Sequence, residues 1–209
     1  DVGGVIGFAG YVNLSNISIK DGRVEGRKQF IGGVFGRYDQ GEKLDNIQAT
    51  GLVTNLTGEN YVGGIGGRVV SNSIAAGMHS ITHEGAIVAT GQHIGGLFGG
   101  VQSSNALSDF YAITAIKSYR DNNGSVGGIV GETAITGAIL RGYFAGHLAD
   151  DCTSTCNRGF ITGSSAASVG GSSDLYFFNS NQPSRVGQGE DIGVMAPLSS
   201  ANNDTLGLY

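Results

Sequence analysis

Two cysteines, four histidines and a scatter of carboxylates are the residues of this 209-residue chain best suited to chemistry. Cys152 and Cys156 stand in a stretch rich in Ser and Thr. Their spacing allows a local disulfide if the chain is exported, and two free thiols otherwise. A zinc site needs two more ligands and no second pair exists, and the redox motif has two intervening residues rather than three. His79, His83 and Glu84 invite a metalloprotease reading, but that chemistry needs His-Glu-x-x-His on a helix, and Ile87 stands where the second His belongs. On a strand the two imidazoles would lie ~13 Å apart, so both are expected to face solvent. The acids Asp39, Glu42, Asp45, Asp109, Glu132, Asp150 and Asp151 are dispersed and read as solvated turn residues. Glycan cleavage would need two of them gathered on one face. Gly187 to Gly193 misses the dinucleotide fingerprint and follows no strand-helix unit. No Gly-x-Ser-x-Gly elbow occurs. Asn-x-Ser/Thr triplets at Asn13, Asn16, Asn55, Asn123 and Asn203 are glycan acceptors only in a eukaryotic secreted chain. The chemistry therefore points to no metal and no cofactor.

The elements that would position such residues are constrained by composition. The chain holds 38 Gly, 2 Pro and no Trp, with 40% hydrophobic and 14% charged residues. Each Gly inside a helix costs about 1 kcal/mol relative to Ala, which disfavours a helical bundle. Hydrophobicity is too high for a disordered segment, and Gly lacks the three-residue period of collagen. A net charge of -5 gives no basic footprint for nucleic acid. No apolar run approaches the ~20 residues that span a bilayer, so no direct membrane insertion is expected. The chain starts at Asp1 inside a repeat, and reads as a piece of a longer protein with targeting signals and flanking domains outside it.

The repeat is plain. Val2-Gly3-Gly4-Val5-Ile6-Gly7 returns as Ile31-Gly32-Gly33-Val34-Phe35-Gly36, Val62-Gly63-Gly64-Ile65-Gly66-Gly67, Ile94-Gly95-Gly96-Leu97-Phe98-Gly99 and Val126-Gly127-Gly128-Ile129-Val130-Gly131. A degenerate copy reads Val169-Gly170-Gly171. The first glycines are separated by 29, 31, 32, 32 and then 43 residues. A looser pattern follows each motif, in Asn16-Ile17-Ser18-Ile19, Asn46-Ile47-Gln48-Ala49 and Asp109-Phe110-Tyr111-Ala112, with a less regular third unit at Ser73-Ile74-Ala75-Ala76-Gly77. Short β-type runs between turn residues, at ~30 residues per unit, predict an all-β parallel β-helix (β-solenoid). About six coils are expected over residues 1–171, wound right-handed and ~29 Å tall. The aliphatics before and after each glycine pair are three apart, the wrong parity for one flat strand, so the pair is expected to mark a bend. The long last step predicts an inserted loop at 147–160. Residues 172–209, opening on Leu175-Tyr176-Phe177-Phe178, are expected to form an aromatic cap and tail.

The five Val/Ile-Gly-Gly-aliphatic-x-Gly motifs, with their Asn-Ile and Phe-Tyr-Ala segments, resemble the GLUG repeat of bacterial surface proteins over roughly residues 2 to 171. Gly66 departs from that pattern at a usually apolar position. Such repeats occur in filamentous-haemagglutinin-like adhesins and in non-catalytic parts of immunoglobulin A peptidases. The resemblance implies a bacterial cell-surface or extracellular location and no catalytic residue. The expected role is a non-enzymatic adhesin segment showing flank loops to a host or surface ligand, a glycan or a protein. The candidate contacts are Tyr143, Phe144, His147, Asp150 and Asp151. The rival expectations are a polysaccharide-cleaving or tail-spike enzyme on the same fold, and a ligand-free spacer of a secreted protease.

Overall fold

The structure, a computed structural model, describes residues 1–27, 29–56, 60–71, 77–119, 124–150, 157–165, 173–178, 186–188 and 195–198. Every regular element in them is a β-strand, and every pairing is parallel. The first sheet stacks Val2–Gly3, Phe30–Gly32, Tyr61–Gly63, His93–Gly95, Ser125–Gly127 and Asn157–Gly159. The second stacks Ile6–Gly10, Phe35–Asp39, Gly66–Ser71, Phe98–Ser103, Val130–Ile135, Thr162–Ser165 and Val186–Gln188. The third holds Leu14–Gly26, Leu44–Leu56, Met78–Ala89, Leu107–Ser118, Ile139–Phe144, Ser173–Phe178 and Met195–Leu198, with His147–Asp150 paired to Ala115–Ser118. One pass through the three sheets is one coil, and the coils form a β-solenoid.

The glycine motif is the corner between the first two sheets, and sterics account for each of its glycines. A Cβ on the first glycine would strike the carbonyl oxygen three residues on, at 2.1 Å for Gly32 and 1.9 Å for Gly95. On the second it would strike a carbonyl of the following coil, 2.4 Å from Gly64 to Gly96 and 2.0 Å from Gly96 to Gly128. On the third it would strike the preceding coil, at 2.3 Å from the Val62 nitrogen for Gly99. Close approach is the reason for the glycines; the left-handed backbone is found elsewhere, at Gly51 and Gly77.

The bend lets both flanking aliphatics turn inward. Ile31, Val62, Ile94 and Val126 form one fully buried column, and Val34, Ile65, Leu97 and Ile129 another. Backbone bonds of 2.9 Å join Val34 N to Ile65 O, Ile65 N to Leu97 O and Leu97 N to Ile129 O. Each such side chain contributes about 1.5–3 kcal/mol by leaving water. Gly66 is no packing defect: a Cβ there would lie 2.3 Å from the Phe35 ring, and the Phe35 and Phe98 rings approach to 6.2 Å from the coils on either side.

The register corrects the sequence reading in the later coils. Arg158 pairs with Val126 and Gly159 with Gly127, so the sixth motif is Arg158-Gly159-Phe160-Ile161-Thr162-Gly163 after a step of 32 residues. Val169-Gly170-Gly171, expected as that copy, lies outside the described residues. The motif is hidden because Arg158 and Phe160 stand where the other copies carry an aliphatic residue and the second glycine. The Phe160 ring packs 6.2 Å from Phe144, and Arg158 is exposed. The expected insertion at 147–160 shrinks accordingly, since both its ends are strands; residues 151–156, with Asp151, Cys152 and Cys156, lie outside the described residues. The segment expected as a cap is itself a rung: Leu175, Tyr176 and Phe177 pair with Gly142, Tyr143 and Phe144, and Met195–Leu198 pairs beyond it. In the third coil the register gives the looser motif to Ser80-Ile81-Thr82-His83, while 73–76 lies outside the described residues.

Candidate functional site

The third sheet carries a left-handed residue at one recurring position of each described coil. Asn16, Asn46, Ser80, Asp109, Arg141 and Asp174 all have φ between 50° and 56°. A left-handed residue there lets inward side chains stand three apart, as Leu107 and Phe110 do, both buried. Asn and Asp adopt this backbone most readily among non-glycines. Arg141 does not share that ease, but its guanidinium grips Asp109: Nε donates to Oδ1 at 2.6 Å and Nη2 to Oδ2 at 2.7 Å. The fork-to-carboxylate match holds both side chains outward.

Two residues further along the same strands, Tyr111, Tyr143 and Tyr176 pair in register. Strand alternation points them to the same outer side as the left-handed column. The Tyr111 and Tyr143 rings stack at 5.1 Å and 8°. The Tyr111 hydroxyl donates to Glu84 Oε1 at 2.9 Å. Between the two columns lies a groove of about 300 Å³, lined by Asp109, Phe110, Tyr111, Arg141, Gly142, Tyr143, Asp174 and Tyr176. Beneath it Gly142 leaves room on the core side for the Phe110 ring, which a side chain there would meet at 2.2 Å.

Electrostatics fix the protonation of these groups. The Arg141 fork holds the Asp109 carboxyl below its ordinary range, and Asp109 in turn raises the guanidinium. Burial, and then the bond to Glu84, push Tyr111 up. Burial also raises Tyr143, with Tyr111 and Glu84 adding to the effect. The groove therefore offers a carboxylate that accepts hydrogen bonds, a guanidinium that donates them and neutral phenols. It suits holding a polar ligand against an apolar wall.

A second aromatic column lines the outer corner between the first two sheets, and it is filled. Phe30 stacks on Tyr61 at 5.6 Å and Tyr61 on His93 at 4.7 Å. The Arg37 guanidinium lies over Phe8 and Phe30, and that of Arg68 over Phe30 and Tyr61. Tyr61 donates to Glu132 Oε2 at 2.7 Å, and burial followed by this bond pushes its hydroxyl up to about 12. Gly100 leaves the space the Tyr61 ring occupies.

The structure sorts the contacts expected from sequence. Tyr143 lines the groove. Phe144 is fully buried against Phe160 and the Gly128 backbone, so it packs the core and cannot touch a ligand. His147 is exposed, beside Ala115 and away from the groove. Asp150 ends the strand opposite Ser118; its side chain and Asp151 lie outside the described residues. His83, expected in solvent, is fully buried, because the left-handed Ser80 reverses the strand's parity. Its Nδ1 sits 2.7 Å from Thr114 Oγ1, and Nε2 has no partner among the described residues. His79 is half-buried with Nδ1 at 2.5 Å from Ser108 Oγ. Among the described residues no group of three or more His, Cys, Asp or Glu is placed to hold a metal ion, and no helix is long and apolar enough to cross a membrane.

No family model, curated protein or solved structure matches this chain. The groove therefore rests on its own geometry. The sequence reading misses Tyr111, Arg141, Asp174 and Tyr176 as partners of Tyr143, although a signal exists: the tyrosines recur at 111, 143 and 176, one coil apart.

Proposed function

We propose that this chain is a non-catalytic β-solenoid segment of a bacterial surface adhesin, whose stacked coils hold a ligand-binding groove on the flank of the third sheet. The observation that carries this reading is the alignment, over three successive rungs, of Tyr111, Tyr143 and Tyr176 with Asp109, Arg141 and Asp174 around one open groove. Recognition therefore belongs to the sheet flank rather than to the 147–160 segment. The likeness of the glycine motifs to GLUG repeats supports the surface role. The polysaccharide-cleaving reading is weaker here: glycosidase chemistry needs two carboxyl groups free to act as acid and as base or nucleophile, and Asp109 is gripped by the Arg141 fork.

The test is an array of glycans and host surface proteins, probed with the wild-type chain, with Tyr143→Ala and with Lys117→Ala, which changes an exposed residue outside the groove. Signal kept by Lys117→Ala and lost by Tyr143→Ala is the expected outcome. Release of reducing ends from any polysaccharide would favour the enzyme, and a blank array the ligand-free spacer.

A further inference from the structure

We propose that the groove selects a neutral glycan, bound along the solenoid axis through roughly one or two sugar rings; this deepens the reading of the groove as a binding site and rests on it. A volume of about 300 Å³ sits at the small end of ligand pockets. Its length is set by three rungs at about 4.8 Å each. The rim presents acceptor, donor and acceptor in successive rungs, as Asp109, Arg141 and Asp174. Hydroxyl groups both donate and accept, so neighbouring hydroxyls of one sugar satisfy a carboxylate and a guanidinium together. The apolar C–H surface of the same ring fits against the edges of the stacked tyrosine rings. The Tyr143 hydroxyl has no hydrogen-bond partner among the described residues and is available to the ligand.

Other ligand chemistries fit less well. Among the described residues the two rim carboxylates outnumber the one guanidinium, and Glu84 adds negative charge beside Tyr111. An acidic sugar would meet net repulsion. An extended peptide gains affinity by adding to a free sheet edge, but the strands beneath the groove are paired on both sides. A quaternary ammonium binds over ring faces, and the Tyr111 and Tyr143 faces are turned towards each other.

The experiment is an NMR titration of the whole chain, following tyrosine and arginine side-chain signals. The probes are neutral gluco-, galacto- and manno-oligosaccharides, uronate- and sulfate-bearing oligosaccharides of equal length, and choline. A neutral oligosaccharide is expected to shift Tyr143 and Arg141 signals saturably, and the acidic ones to bind at least about tenfold more weakly. Tyr143→Ala is expected to weaken the neutral ligand about tenfold or more. Arg141→Asn, which suits the left-handed backbone, keeps the test open should Tyr143→Ala unfold. Acidic oligosaccharides or choline binding as well as the neutral set, with the same loss on mutation, would overturn the ligand class and leave the binding groove standing. Groove signals that no probe moves at millimolar concentration would also overturn this inference, and a blank array alongside them would remove the groove reading too.

Discussion

His83 occupies the inward position that Ala49, Ala112 and Phe144 fill in other coils. It fits because Gly64 has no side chain; a Cβ there would lie 2.6 Å from the imidazole. Burial lowers its pKa to about 4, from an ordinary value of 6.5. The unfolded chain therefore takes up the proton first as pH falls. The associated stability is complete above about pH 6.5 and disappears progressively toward pH 4, a loss of about 3 kcal/mol. Urea unfolding at pH 7 and pH 4.5 should show this drop in the wild type. His83→Phe should lack that part of it, and equal pH dependence in both would contradict the buried neutral imidazole. The placement was not legible from sequence, because parity turns on one left-handed residue at Ser80. Asn16, Asn46 and Asp109 carry a recognisable preference for that backbone; Ser80 and Arg141 do not.

At the scale of elements, the five glycine motifs were legible because their glycines answer fixed steric demands within and between coils. In the sixth copy Arg158 and Phe160 replace the first aliphatic and the second glycine, so recurrence fails as a signal there and only the register reveals the motif. The third glycine answers the crowding of the preceding coil at Gly36, Gly67, Gly99 and Gly131, whereas a Cβ on Gly7 has its nearest obstruction at 3.2 Å, from the Asp1 carbonyl. Gly99→Ala should therefore destabilise the chain by about 1–3 kcal/mol or more, as overpacking does. Gly7→Ala, at the same motif position, should stay within about 0.5 kcal/mol of wild type. Thermal unfolding of the two variants checks this, and equal losses would contradict the assignment. Left-handed positions and outward pairs were less legible, since contacts between side chains about 30 residues apart appear only once the register is known. Asp109 and Arg141 are the clearest case: neither is unusual alone, and together they form the rim of the groove.

Across the whole molecule, stability is close to a sum over coils and their contacts. Deleting 63–94 joins Val62 to Gly95 and restores an intact glycine motif. The shortened chain should keep a β-type far-ultraviolet spectrum and unfold cooperatively, with a denaturant m-value lower by about one-sixth. It should also keep the lining of the groove, which lies in later coils, while losing the bond from Tyr111 to Glu84. The claim on which everything else depends is the in-register stacking that continues 32 residues after Gly127. It is tested most directly by an engineered disulfide between Glu132→Cys and Ser164→Cys, register partners in the second sheet, with Cys152 and Cys156 changed to Ser. Adjacent parallel strands place such residues about 4.8 Å apart, within disulfide reach. The stacking predicts rapid intramolecular cross-linking in the folded chain, and none when Cys at 132 is paired instead with Cys replacing Lys43. Failure of the 132–164 pair to close, or equal closure of both pairs, would contradict it.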